Sequence, residues 1–150
     1  MFVGTHIVGV DQKGRCSIPA PFRAALRGAE TVYVWPSYKA ACLEAGDQAL
    51  LERYQAALAE ASGLEEARDD FEYAIFGEAR ALEFDATGRV SLPEELRRHA
   101  GLNGRAAFAG LSDRFEIWAP EALEARVAAA REKAAAARAL LRRQAPEGAA

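Results

Sequence analysis

Sulfur and imidazole are scarce in this chain. Cys16 and Cys42 are its only cysteines, and His6 and His99 its only histidines. Two cysteines without a CxxC spacing do not form a disulfide framework. Together with the two histidines they show no metal-ligand spacing, so no metal and no cofactor is expected. Nucleophilic catalysis is poorly supplied as well. Cys16 and His6 are the one pair that could meet across a hairpin, and no third group stands ready to orient them. Arg15 beside Cys16 is the one feature that would favour a redox-sensitive thiolate, and nothing else in the sequence supports it. The expectation is that the chain is not an enzyme. Long apolar runs are also missing. No stretch approaches the roughly 18 residues of a bilayer span. The opening "MFVGTHIVGVDQKGR" lacks a basic segment leading into an apolar one, so it does not read as a secretory leader. These absences point to the cytoplasm and to no membrane partner.

What is present suits a globular fold. Hydrophobic residues make up 51% of the 150 and charged residues 27%, enough to bury a core as one domain or two small fused units. The net charge of -3 hides segregation. Residues 1–40 carry five basic and two acidic side chains, residues 41–85 three and twelve, and residues 86–150 eleven and eight. Two basic segments therefore flank an acidic one, a distribution compatible with a polyanionic partner.

The basic segments each contain nearly the same nine residues, "DQKGRCSIP" from Asp11 and "DATGRVSLP" from Asp85. At this offset of 74, Gly14 meets Gly88, Arg15 meets Arg89, Ser17 meets Ser91, Pro19 meets Pro93 and Arg23 meets Arg97. A repeat of this size means that one supersecondary unit was used twice. In each copy a strand ("HIVGV", "ARALEF") leads into a turn with Asp at its first position and a left-handed Gly at its last, expected to close a hairpin. A second strand ("RCSI", "RVSL") follows, then a proline-initiated helix ("PFRAALR", "EELRRHA") ended by glycine. "TVYVWPSYKAACLEAG" and "RAAFAGLSDRFEIWAP" each read as strand, turn, strand. The boundaries are 1–46 for the first repeat, 47–76 for connecting helices, 77–119 for the second repeat and 120–150 for an Ala-rich helix and tail. Asp47 is placed as the N-cap of the first connecting helix, "LEEARDDFEYAIF" reads as a second, acidic helix, and "APEGAA" reads as a frayed tail.

Turn chemistry alone accounts for Asp11, Gly14, Asp85 and Gly88, and the arginine could simply pair with the aspartate. It does not account for Arg recurring in the same place with Ser and Pro behind it. An arginine fork beside a tight turn can reach outward to phosphate oxygens or guanine edges. The candidate nucleic-acid contacts are therefore Arg15 and Arg89, with Lys13 beside the first, and Arg23 and Arg97 on the following helices. A solvated helix face is the bland alternative for Arg23 and Arg97.

The stretches "MFVGTHIVGVDQKGRCSIPAPFR" and "EFDATGRVSLPEELRRHAGL" resemble the two motifs of the MraZ family, a doubled branch of the SpoVT–AbrB DNA-binding proteins with a DxxxR signature in each half. The resemblance runs from residue 1 to about residue 120. It departs at Cys16, where an aliphatic residue is usual, and it assigns nothing to the Ala-rich end. It implies an α+β fold of two tandem swapped-hairpin, AbrB-like β units packed as an intrachain pseudo-dimer with flanking helices. It further implies a bacterial, cytoplasmic or nucleoid-associated transcription regulator, typically a repressor of the division and cell-wall gene cluster. Such a protein would act as a ring of subunits on repeated promoter boxes of double-stranded DNA. Asp11 and Asp85 would hold the turns and orient Arg15 and Arg89 on DNA. The rival reading is an assembly module that uses the same doubled β unit without specific DNA binding.

Overall fold

The computed structural model describes residues 1–144; the "APEGAA" end lies outside the described residues. The chain divides into two compact units, Met1–Pro120 and the part from Glu121 onward.

In the first unit, β1 (Thr5–Gly9), β2 (Arg15–Ser17), α1 (Ala20–Ala25), β3 (Thr31–Pro36) and β4 (Leu43–Gly46) are followed by α2 (Gln48–Glu60) and α3 (Glu65–Glu72). A π-helical turn, Tyr73–Gly77, extends α3. The order then repeats as β5 (Arg80–Glu83), β6 (Arg89–Ser91), α4 (Glu94–His99), β7 (Arg105–Gly110) and β8 (Phe115–Trp118). Six strands form an antiparallel sheet in the order β1-β7-β8-β4-β3-β5, while β2 and β6 pair as a separate two-stranded ribbon. Exchanging β1 with β5, β3 with β7 and β4 with β8 reverses the sheet order onto itself. The repeat is thus a pseudo-two-fold in space. Its axis crosses the ribbon at Cys16 opposite Val90 and the sheet at Glu44 opposite Glu116.

The expected hairpins form at β3–β4 and β7–β8. The expected hairpin closed by the Asp-Gly turn does not form as a ladder. β1 runs to β7, β5 runs to β3, and β2 pairs with β6. The strands on either side of each turn pair with the other repeat because a three-residue ribbon strand can cover the core only beside its twin.

The main core lies between one sheet face and the ribbon with α1 and α4. Alternation decides which residues enter it. Cys16 and Val90 point inward from the ribbon, Val32, Val34, Phe108, Phe115 and Ile117 from the sheet, and Phe22 and Leu96 from the helices. Phe22 is fully buried and packs edge-on against Phe2 and His6. Pro21 stands in the first turn of α1, where a missing N–H costs nothing. On the opposite sheet face Trp35 packs with Leu50 of α2 and Ile75 of the π-helical turn. Asp47 caps α2 as the sequence implies, its Oδ1 accepting from the Leu50 amide at 2.9 Å. Glu44, 3% exposed, has Arg114 Nε 3.6 Å from its Oε1.

Helix α5 (Pro120–Gln144), which makes up the second unit from Glu121 onward, has Glu121 in its first turn and Arg142 and Arg143 in its last, each sign matched to the helix dipole. No helix among the described residues is long and apolar enough to cross a membrane.

Candidate nucleic-acid interface

Each Asp-Gly turn is a closed hydrogen-bonded loop. In the first, the Gly14 amide donates to the Asp11 carbonyl at 2.9 Å and the Asp11 amide to the Arg15 carbonyl at 3.0 Å. The side chain of Asp11 completes it. Its Oδ1 accepts from the amides of Lys13 (3.0 Å) and Arg15 (2.8 Å), and its Oδ2 accepts from Arg15 Nε at 2.6 Å. The second turn repeats this around Asp85: Oδ1 accepts from the Thr87 and Arg89 amides, and Oδ2 from Arg89 Nε at 2.9 Å. Gly14 and Gly88 take φ values of +84° and +81°, the left-handed region that the turn needs. The Arg15 amide, followed by its guanidinium, holds the Asp11 carboxyl below its usual range. The Arg89 amide and the Thr87 hydroxyl lead the same effect at Asp85, which lies lower still.

The aspartate therefore does what both sequence-level explanations proposed. It builds the turn, and it also fixes the arginine. Among the described residues only Nε of each guanidinium is engaged, which leaves the terminal amino groups of Arg15 and Arg89 with N–H donors to offer. The side chains are 41% and 39% exposed.

The ribbon brings the two arginines together. Arg15 lies opposite Ser91 and Ser17 opposite Arg89, so these four residues share the face opposite the buried Cys16 and Val90. Arg15 and Arg89 occupy diagonal positions, about 7–8 Å apart by strand geometry. Ser17 and Ser91, both exposed, are polar neighbours that sequence reasoning passed over. The period-two alternation of "RCS" and "RVS" was the signal that places them beside the arginines. Lys13 is exposed at the tip of the first turn.

Arg23 and Arg97 are not part of this face in equal measure. Arg97 is partly buried, and its Nε donates to the Leu92 carbonyl at 3.0 Å. Its Nη1 reaches the Gln12 carbonyl at 3.4 Å. The exposed Arg23 lies over Gly88. Arg97 therefore does not stand on a freely solvated helix face.

The thiols are unsuited to nucleophilic or redox chemistry. Cys16 and Cys42 are buried, and burial pushes both up to about 12 from an ordinary value of 9.0. Arg15 does not activate Cys16, because alternation turns one outward and the other into the core. The ring of His6 stacks edge-on against Phe22 instead, with centroids 5.3 Å apart. Among the described residues no group of three or more His, Cys, Asp or Glu side chains is arranged to hold a metal ion.

Comparison with known proteins agrees with the doubled architecture. The profile of the family described as "MraZ protein, putative antitoxin-like" matches twice, over residues 1–72 and 75–143. A protein of Caulobacter vibrioides named Transcriptional regulator MraZ is 39% identical over 145 residues, covering 96% of this chain and 93% of that one. Proteins of the same name from Azorhizobium caulinodans and Rickettsia canadensis are 39% identical over 134 residues and 41% over 127. The alignments cover 88% and 83% of this chain, and 85% of each of those proteins. With both halves matched in tandem, and with the two Asp-braced arginines lying on one ribbon, the chain belongs to the MraZ family.

Proposed function

We propose that this chain is a DNA-binding transcription regulator that reads double-stranded DNA with the β2–β6 ribbon and its two turns. The observation that carries the proposal is the pair of arginine forks on one exposed face, each fixed at Nε by an aspartate and, among the described residues, without a hydrogen bond at its terminal amino groups. A two-stranded ribbon fits a major groove about 12 Å wide, and a preorganised arginine fork suits guanine O6 and N7 or a phosphate. The transcription-regulator names of the relatives favour the same reading. The finer expectations attach to it: repression of the division and cell-wall gene cluster, repeated promoter boxes, a subunit ring, and a cytoplasmic, nucleoid-associated site of action.

The two turns contribute unequally in this proposal. The first presents Lys13 where the second has Thr87, and a groove of about 540 Å³ beside the second turn is lined by three carboxylates, Glu30, Glu83 and Asp85, against one cation, Arg23. A chain with a net charge of -3 gains little from phosphate neutralisation as a single copy. A ring presenting many ribbons to spaced boxes gains by effective concentration instead.

A gel shift with the DNA upstream of the protein's own gene tests the proposal. Wild type gives a specific complex that weakens steeply with salt, and Arg15→Ala loses most of it. The absence of a specific shift at moderate salt favours the assembly-module alternative. That alternative draws on one feature of its own: Tyr73 is 78% exposed beside a groove of about 460 Å³ lined by Asp69, Glu72 and Phe76. Light scattering tests the ring, which requires a mass well above 16.2 kDa; a strict monomer removes the effective-concentration argument.

A further inference from the structure

Arg23 and Arg97 stand at equivalent positions of the repeat, yet they brace the turns differently. Arg97 belongs to α4 of the second repeat and reaches the turn of the first. It donates from Nε to the Leu92 carbonyl and from Nη1 to the Gln12 carbonyl, inside the turn itself. The Leu92 amide in turn donates to the Gly14 carbonyl at 2.9 Å. Gly14 is pressed against the same group: a Cβ there would stand 2.8 Å from Arg97 Nε and 2.3 Å from the Leu92 carbonyl oxygen. Gln12, Gly14, Leu92 and Arg97 thus form one closed unit that spans the two repeats.

The second turn has no matching clasp. Arg23 covers Gly88, where a Cβ would lie 2.3 Å from its Nη1. Among the described residues, however, Arg23 makes no hydrogen bond to the turn. The second turn is tied internally instead, by Thr87 Oγ1 donating to Asp85 Oδ1 at 2.8 Å. Lys13, at the equivalent place, has no hydroxyl to do this.

We propose that Arg97 is a positioning residue for the first turn. From the other repeat it fixes the backbone of Gln12–Gly14, and so the directions in which Lys13 and Arg15 face DNA. A planar fork can span two carbonyls, which a lysine ammonium does not do with the same geometry. The first turn therefore depends on the second repeat for its shape, whereas the second turn does not depend on Arg23.

This inference rests on the DNA-binding reading for its consequence but not for its geometry, so its test has two arms. The first uses the free full-length protein and needs no DNA. By amide hydrogen exchange, Arg97→Ala and Arg97→Lys both speed exchange at Gly14 and Leu92 by about 10-fold. Arg23→Ala leaves Gly88 unchanged. Unaltered exchange at Gly14 and Leu92 in a folded Arg97→Ala protein overturns the proposal, and so does an equal loss at Gly88 in Arg23→Ala. The second arm measures binding to the upstream DNA and to unrelated DNA over a range of salt. Expected for both Arg97 variants is a weakened specific complex, with unrelated-DNA binding and the salt slope unchanged. A slope reduced by about 1 in Arg97→Ala, with affinity restored in Arg97→Lys, marks a direct phosphate contact and overturns the positioning role. If wild type binds no DNA specifically, the DNA reading fails while the exchange arm still decides the clasp. If Arg97→Ala does not fold, Arg97→Lys and Arg97→Gln carry both arms.

Discussion

Gly14→Ala and Gly88→Ala look like the same substitution made in two copies of one motif, and the structure separates them. Both glycines sit at φ above +80°, so an alanine pays about 1–2 kcal/mol for the left-handed backbone at either place. What the new methyl meets differs. At residue 88 the nearest atoms belong to the guanidinium of Arg23, an exposed and flexible side chain that can swing into water. At residue 14 the nearest atom is the Leu92 carbonyl oxygen, 2.3 Å away and part of the backbone. Relieving that overlap shifts the peptide and weakens the bond from the Leu92 amide to the Gly14 carbonyl, about 0.5–1.5 kcal/mol. Overpacking strain adds about 1–3 kcal/mol. Gly14→Ala is therefore expected to lose about 3 kcal/mol or more, and Gly88→Ala about 1–2 kcal/mol. In urea unfolding with a slope near 2 kcal/mol/M, the midpoints fall by about 1.5 M and about 0.7 M respectively. Equal losses at the two sites, or a larger loss at residue 88, refute the reasoning.

Two further predictions concern titration. The Asp11 and Asp85 carboxyls are held below the ordinary 3.8, Asp85 the lower of the two. A depressed carboxyl stabilises the fold above its unfolded value, and that contribution is lost as pH falls through the folded value. Thermal midpoints should drop as pH falls below about 4, and Asp85→Asn should flatten that decline; an unchanged slope in the variant counts against the turn as its source. For the thiols, Ellman's reagent at pH 8 should label neither Cys16 nor Cys42 in the native protein and both after denaturation. Because the buried thiols ionise only near 12 against an ordinary 9.0, the unfolded chain loses its protons first. Stability therefore declines as pH rises from 9.0 toward about 12. Rapid native labelling at either thiol contradicts the burial argument.

Much of the local structure was legible because its signals are local. Asp at the first turn position and Gly at the last encode the turn whatever surrounds it, and Asp47 encodes a helix start in the same way. The 74-residue register exposed the duplication, and at that offset the structure buries Ile18 with Leu92 and Phe22 with Leu96 as equivalent core residues. Strand pairing was a different matter. A five-residue strand followed by a tight turn and a second strand ordinarily folds back on itself, yet β1 and β2 part after the turn and pair with the other repeat. Nothing local to the segment Thr5–Ser17 specifies that exchange. It follows from the need of two half-cores to close over each other.

The turns and the arginine that follows each of them are encoded by residues a few positions apart, and the use of one unit twice by the 74-residue register. The tertiary structure alone decided that Arg15 and Arg89 share one face, because only the β2–β6 pairing sets them diagonally across the pseudo-two-fold. It also decided that Arg97 serves a turn 85 residues away while Arg23, its twin by sequence, does not. Residues equivalent in sequence thus make unequal contacts: Arg97 donates to the Gln12 carbonyl, while Arg23 covers Gly88 and, among the described residues, makes no hydrogen bond to its turn.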